Sequence, residues 1–216
     1  MSQPIKVMLV DDHAVVRAGF RMLLSTDERI SVVAEAERGE AACQLYLDSQ
    51  PDVVVLDLSM PGIGGLETLR RICSRDSNAK ILVCSVHDER VYIDRALSAG
   101  AKGYVTKHAH PDILLAAIQK IADGAEYIQP GLVTAEVGGL AGGLEDYKAV
   151  VEAFSAREFD VFLLLAKGLT AHKIADELCL GYKTVANYGT QIRAKLKVSS
   201  VAELAHIALA LGVMKN

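Results

Sequence analysis

Through the first 125 residues, short unbroken apolar runs alternate with longer stretches whose apolar residues recur every three or four positions. The runs are Ile5–Val10, Ile30–Ala34, Val53–Leu56, Ile81–Cys84 and Lys102–Val105. Short and rich in Val and Ile, they read as strands buried on both faces, as in a parallel sheet. The amphipathic stretches are Ala14–Leu24, Gly39–Leu47, Leu66–Cys73, Arg90–Ala99 and Ile113–Ala122, the last opened by Pro111, which suits a first helical turn. Strand and helix thus alternate through the whole segment. That order predicts an α/β fold, a (βα)5 doubly wound parallel sheet of flavodoxin-like type. Its right-handed crossovers place helices on both faces and leave ligand sites at the carboxyl ends of the strands.

The pattern changes after Ala125. Periodicity fades over residues 126–150, and Gly138–Gly143 holds four glycines in six positions, a composition that costs much backbone entropy to order. This segment is expected to be a flexible linker between a domain of residues 1–125 and one of residues 151–216. In the second domain, Ser155 with Glu158 and Ser200 with Glu203 have capping-box spacing ahead of the apolar stripes Phe159, Val161, Phe162, Leu165 and Leu204, Ile207, Leu211. Between them, a short helix through Ile174, Ala175 and Leu178, a break at Gly181 and a longer helix over Lys183–Leu196 make a helix-turn-helix. The domain is read as small, all-α and four-helical.

A chain of 216 residues accommodates two such domains, and its 51 % hydrophobic and 23 % charged residues exclude a disordered or fibrous protein. No apolar run is long enough for a membrane span, Asp11 and Asp12 interrupt any signal-peptide pattern, and Cys43, Cys73, Cys84 and Cys179 lack disulfide or metal spacing. A cytoplasmic protein with reduced thiols and no membrane partner is expected. The net charge of -4 hides a gradient: residues 151–216 carry 8 Lys and Arg against 6 Asp and Glu. Ala171–Lys197 alone holds five basic residues against two acidic ones, a local excess of the kind that attracts a phosphate backbone.

Candidate chemistry gathers at the strand ends. The first strand ends in Asp11-Asp12, the third in Asp57 and the fourth in Ser85, while the fifth carries Tyr104 and is followed by Lys107. Three carboxylates at one edge repel one another unless a cation joins them, and an all-oxygen set with few protein donors suits Mg²⁺. A central carboxylate flanked by metal, hydroxyl and ammonium is equipped to attack phosphorus and become an aspartyl phosphate. The ordered set Asp11-Asp12, Asp57-Leu58-Ser59-Met60-Pro61-Gly62, Ser85 and Gly100–Lys107 resembles the receiver domain of two-component response regulators. The resemblance implies that Asp57 accepts a phosphoryl group from a sensor histidine kinase. It also implies that Asp11, Asp12 and Asp57 hold Mg²⁺ with the backbone carbonyl of Ser59, that Lys107 pairs with the phosphate, and that Ser85 with Tyr104 forms the switch. Ser59 and His87 fall at positions that in this family tune dephosphorylation; by itself, His87 reads as an exposed loop residue.

On a helical wheel, Val185, Tyr188, Gly189, Ile192 and Leu196 form the inward stripe of the longer helix. The opposite side carries Lys183, Asn187, Thr190 and Ala194, flanked by Ala186, Gln191 and Arg193. Asn187 suits adenine, Thr190 a base edge or thymine methyl, and Ala186 an apolar contact, whereas Lys183 and Arg193 suit phosphates. The candidate DNA-binding set is Lys173, Lys183, Thr184, Ala186, Asn187, Thr190, Gln191, Arg193 and Lys195. Through "FSAREFDVFLLLAKGLT" and "KTVANYGTQIRAKL", Phe154–Val213 resembles the LuxR-type domain of the NarL/FixJ family, and Ser59–Glu67 is nearest in wording to the GacA/UvrY group. Departures fall at Ala171, His172 and Lys173, where that family usually has Asn and Lys-Glu, and at Gly181, where it usually has an N-cap Ser. Gly189 inside the helix costs about 0.5–1 kcal/mol relative to Ala.

The whole reads as a phosphorylation-switched, sequence-specific DNA-binding transcriptional regulator and not as an enzyme. Its expected partners are a sensor histidine kinase, double-stranded promoter DNA and RNA polymerase. It is expected to form a homodimer on activation, and the Leu204, Ile207, Leu211 stripe is either the dimer surface or the face that closes the small core. The alternative is a receiver-controlled adaptor whose degenerate helix-turn-helix binds protein. A phosphohydrolase would need a cap or substrate pocket, for which the loops are too short.

Overall fold

The computed structural model describes residues 3–132 and 144–214. They form two compact units, each with its own core. In the first, β1 (Ile5–Val10), α1 (Ala14–Leu24), β2 (Ile30–Ala36), α2 (Gly39–Ser49), β3 (Val53–Leu56), α3 (Gly65–Arg75), β4 (Ile81–Ser85), α4 (Arg90–Ser98), β5 (Gly103–Thr106) and α5 (Pro111–Ala122) follow the expected alternation. All strand pairs are parallel, in the order β2-β1-β3-β4-β5, with a sixth strand, β6 (Tyr127–Ile128), beside β5.

Successive strand residues point to opposite faces, and here both faces are covered. Val7, Leu9, Val55, Leu82, Cys84 and Val105 pack with Leu24 of α1 and with Leu114, Ala117, Ile118 and Ile121 of α5. Met8, Val10, Val54, Leu56, Ile81, Val83 and Tyr104 point the other way and are as deeply buried, as are Ala42, Leu69, Ile72, Ile93 and Ala96 on α2, α3 and α4. Each fully buried aliphatic side chain contributes roughly 1.5–3 kcal/mol. The sheet is therefore stiff enough to hold charged groups at its edge.

The segment 126–150 is not wholly a linker. Tyr127 and Ile128 pair with Gly103 and Tyr104, and the Tyr127 and Gln129 N–H groups donate to the carbonyls of Lys102 and Tyr104. They satisfy backbone groups on the otherwise open side of β5. A two-residue strand is too short to show a period, which is why the sequence pattern missed it. A helix, α6 (Leu144–Glu152), also starts before the expected boundary at residue 151. Its buried anchor is Val151 in its last turn. The run Gly138–Gly143 lies outside the described residues.

The second unit consequently has five described helices where four were expected: α6, α7 (Ala156–Ala166), α8 (Ala171–Glu177), α9 (Tyr182–Leu196) and α10 (Val201–Ala210). Both expected capping boxes are formed, Ser155 with Glu158 and Ser200 with Glu203. Phe154, Phe159, Phe162, Ile174, Val185, Ile192 and Leu196 make the core. Leu204 and Ile207, offered above as a dimer surface, are buried at 0 % and 5 % exposure. They close this small core instead. Among the described residues no helix is long and apolar enough to cross a membrane.

Candidate functional site

Backbone hydrogen bonds place the side chains at the carboxyl edge of the sheet. Asp11 follows β1, and its N–H donates to Ala36 O at 3.1 Å; Asp57 follows β3 and donates to Val10 O at 2.8 Å; Lys107 follows β5 and donates to Ser85 O at 2.8 Å. Each residue thus extends a strand ladder by one step. Gly65 lets α3 start against the loop after Asp57, because a Cβ there would lie 2.0 Å from the Asp57 carbonyl oxygen and 2.5 Å from Leu58 Cα.

Asp11 and Asp57 are 3 % and 2 % exposed. Lys107 Nζ lies 2.6 Å from Asp11 Oδ2 and 2.8 Å from Asp57 Oδ2. Burial pushes the Asp57 carboxyl above the ordinary carboxylate range; Lys107 opposes this and Asp11 adds to it. Burial acts to lower Lys107, but the two carboxylates outweigh it and hold the ammonium above its ordinary value. The neighbouring Cys84 thiol is pushed up to about 12, chiefly by burial, so it stays protonated and inert.

One oxygen each from Asp11, Asp12 and Asp57 and a ring nitrogen of His13 lie within 4.8 Å of one another. Among the described residues, the buried Asp12 Oδ1 receives no aligned hydrogen bond, although His13 Nδ1 is 3.0 Å away, and Asp11 Oδ2 is held by the ion pair with Lys107 alone. Buried carboxylate oxygens without donors are costly, and an oxygen-rich pocket of this kind fits a divalent cation. His13 was absent from the sequence reading. Its N–H donates to Asp11 Oδ1 at 2.8 Å, while its side chain is 63 % exposed. Its place directly after Asp11-Asp12 was the available signal.

Ser85 and Tyr104 are both fully buried. Ser85 Oγ accepts from the His87 N–H at 3.3 Å, and the Tyr104 hydroxyl donates to the His87 carbonyl at 2.9 Å. His87 is therefore more than an exposed loop residue. Its Nε2 is 2.9 Å from Ser59 Oγ, and its ring stacks on Tyr92 with centroids 4.0 Å apart. Gln129, placed in the linker by sequence, accepts from both the N–H and the hydroxyl of Thr106 and so fixes the end of β5 beside Lys107.

On α9, four members of the inward stripe, Val185, Gly189, Ile192 and Leu196, are buried, while the fifth, Tyr188, is half-buried. Lys183, Thr184, Asn187, Thr190 and Gln191 are exposed, Ala186, Tyr188 and Arg193 half-buried, and Lys173 is exposed on α8. Lys183, Asn187 and Thr190 thus stand in solvent on the side of α9 opposite the buried stripe. Lys195 is differently engaged: its Nζ is 2.6 Å from Oε1 of the buried Glu158 and 5.7 Å from the Phe154 ring centroid. Burial acts to raise Glu158, yet Lys195 and Ser155 together hold its carboxyl below the ordinary range. The Thr190 hydroxyl donates to Ala186 O at 3.0 Å, which leaves its methyl group and oxygen lone pair facing outward. Gly181 caps α9 without a side-chain hydrogen bond. The rings of His172 and Tyr182 stack with centroids 4.3 Å apart, a contact with no sequence signature.

A model of the response regulator receiver domain matches residues 7–119, and a model of bacterial regulatory proteins of the luxR family matches residues 152–208. The transcriptional activator protein ExaE of Pseudomonas putida is 38% identical over 209 residues, covering 97% of this chain and 98% of that one. The response regulator GacA of Pseudomonas aeruginosa is 35% identical over 210 residues, with 97% and 98% covered. The crystal structure of the response regulator ChrA of a heme-sensing two-component system is similar at a TM-score of 0.53 and 30% identity, covering 99% of this chain and 100% of that one.

Proposed function

Since the chain belongs to the two-component response regulators that join a receiver to a LuxR-type DNA-binding domain, we propose that phosphorylation of Asp57 by a sensor histidine kinase switches promoter binding by α8 and α9. The observation that carries this is the buried Asp57, with Lys107 Nζ 2.8 Å from its Oδ2 and two further carboxylates beside it. An Asp57 oxygen forms a bond to phosphorus as the P–N bond of the kinase's phosphohistidine breaks, and the imidazole leaves. Asp11, Asp12 and Asp57, with the carbonyl of Ser59, would hold Mg²⁺, which supplies neutralising charge for the phosphoryl oxygens. Lys107, already poised between Asp11 and Asp57, transfers its ion pair to the phosphate.

The Ser85 hydroxyl then turns from the His87 N–H toward a phosphate oxygen. Because the Tyr104 hydroxyl is bonded to the His87 carbonyl, a shift of this loop reaches the buried Tyr104 ring. That is a two-state element biased by one ligand. On the DNA side, Lys173, Lys183, Thr184 and Arg193 meet phosphates, while Ala186, Asn187, Thr190 and Gln191 face the bases in the major groove. The protein acts in the cytoplasm as a regulator and not as an enzyme, dimerises on the promoter and works on RNA polymerase there.

Intact-mass spectrometry after incubation with acetyl phosphate tests the site. Labelling is expected in Mg²⁺ and not in EDTA, and Asp57→Asn protein is expected to stay unlabelled. Undiminished labelling of Asp57→Asn would overturn the assignment.

A further inference from the structure

His172 is the second residue of α8 and Tyr182 the first of α9, and their rings stack at 4.3 Å with an interplanar angle of 29°. The pair does not serve the core: His172 is exposed and Tyr182 is 49 % exposed. Among the described residues neither the Tyr182 hydroxyl nor the His172 ring nitrogens have a hydrogen-bond partner, so the stack fixes the rings while their polar edges stay open. Each ring is followed in sequence by an exposed lysine, Lys173 and Lys183. The result is two ordered rings with open polar edges at the start of α9, each next in sequence to an exposed lysine. An aromatic side chain with few rotatable bonds makes such a contact at low entropic cost, and the partner ring lowers that cost further.

We propose that His172 and Tyr182 together contact the DNA backbone, the Tyr182 hydroxyl and an imidazole N–H donating to phosphate oxygens, and so anchor an α9 whose Gly181 cap has no side-chain group to offer. The inference rests on the reading of α8 and α9 as the DNA-binding face. Donation from a phenol or from an uncharged imidazole brings no cation to the backbone, so such a contact adds affinity for any sequence without releasing further counterions. Tyr182→Phe separates contact from architecture, because it keeps the ring and the stack and removes only the hydroxyl.

The test is fluorescence anisotropy of the full chain, treated with acetyl phosphate, on a mixed-sequence DNA duplex over a salt series at a pH where imidazole is neutral. Tyr182→Phe and His172→Ala are each expected to weaken binding about 3- to 10-fold, the range of one hydrogen bond, with the salt slope unchanged. Lys183→Ala serves as reference and is expected to lower the slope by about one. Wild-type binding by Tyr182→Phe, even with Tyr182→Ala weakened, would show that the pair is architectural and overturn the proposal. If the unmutated chain shows no salt-sensitive binding, or Lys183→Ala leaves the slope intact, the reading of α9 itself falls and the proposal with it.

Discussion

At the edge of the sheet, the buried Asp11 and Asp57 are held by the half-buried Lys107 at 2.6 and 2.8 Å, whereas on α9 Lys183, Asn187 and Thr190 stand in solvent. In the proposed function both regions meet phosphate, but under different electrostatic conditions. Charges in the buried pocket are weakly screened and already oriented, so each member changes the state of the others. Charges on the helix are screened by salt and must lose side-chain freedom when they bind, so each contributes little and the contributions are nearly independent. Removing one group should therefore disrupt the pocket as a whole and weaken the helix surface only in part.

The largest expected effect follows from Lys107→Met. It leaves the Asp11 and Asp57 carboxylates buried without their cation, and breaking a buried pair in this way costs about 3–5 kcal/mol. Thermal unfolding in EDTA should show it, with part of the loss recovered in Mg²⁺. Lys183→Ala should melt within about 0.5 kcal/mol of wild type, as surface changes usually do. Equal melting of the two variants would erase the distinction between the regions.

On the helix, Asn187→Ala and Thr190→Ala are each expected to cost roughly 1–3 kcal/mol at one base position and to leave the salt slope unchanged. Selection from a randomised duplex pool, followed by titration, checks this. Lys195→Ala should behave unlike Lys183→Ala. Its ammonium is held by Glu158, so melting temperature should fall while the salt slope for DNA stays near wild type. A slope lowered by a full unit would return Lys195 to the phosphate contacts.

Acid gives the two units of the molecule opposite signs. The Ser200 and Ser199 groups hold Glu203 down, from its ordinary value to about 2, and Glu158 is also held low. Their contributions are present above the ordinary glutamate value and are lost as pH falls through the lowered one. Asp57 is held high, so its carboxyl favours the fold increasingly as pH falls from its raised value toward the ordinary one. Melting curves between these limits should show Glu203→Gln reducing the acid loss and Asp57→Asn removing the opposing gain. The smallest expected change is Gly189→Ala. A Cβ there would lie 3.4 Å from Leu165 Cδ1, an ordinary contact, so a gain of up to about 0.5–1 kcal/mol is expected. A lower melting temperature would mean that α9 packs on α7 too closely for a methyl group.

What was legible in the sequence follows from how local each cause is. The five long strands show as unbroken apolar runs because helices cover both faces, and Asp11, Asp57 and Lys107 stand out because they are the polar residues where those runs stop. The inward stripe of α9 is equally local. Other features depend on partners far along the chain. His87 binds Ser59 and Tyr104, 28 and 17 residues away, and Gln129 reaches Thr106 over 23 residues. Lys195, one of the candidate DNA-binding residues, also pairs with Glu158, 37 residues upstream. β6 exists because the open side of β5 needs partners, a requirement that Tyr127 and Ile128 themselves do not reveal.

The central claim is that one phosphoryl group on Asp57 controls the affinity of α9 for DNA. Binding of the full chain to a selected duplex, measured before and after acetyl phosphate treatment in Mg²⁺, tests it most directly, with Asp57→Asn alongside. The expected result is about 5- to 150-fold tighter binding for the phosphorylated wild type, the usual range of coupling between sites, and no change for Asp57→Asn. Equal affinity before and after phosphorylation, or the same tightening in Asp57→Asn, would contradict it.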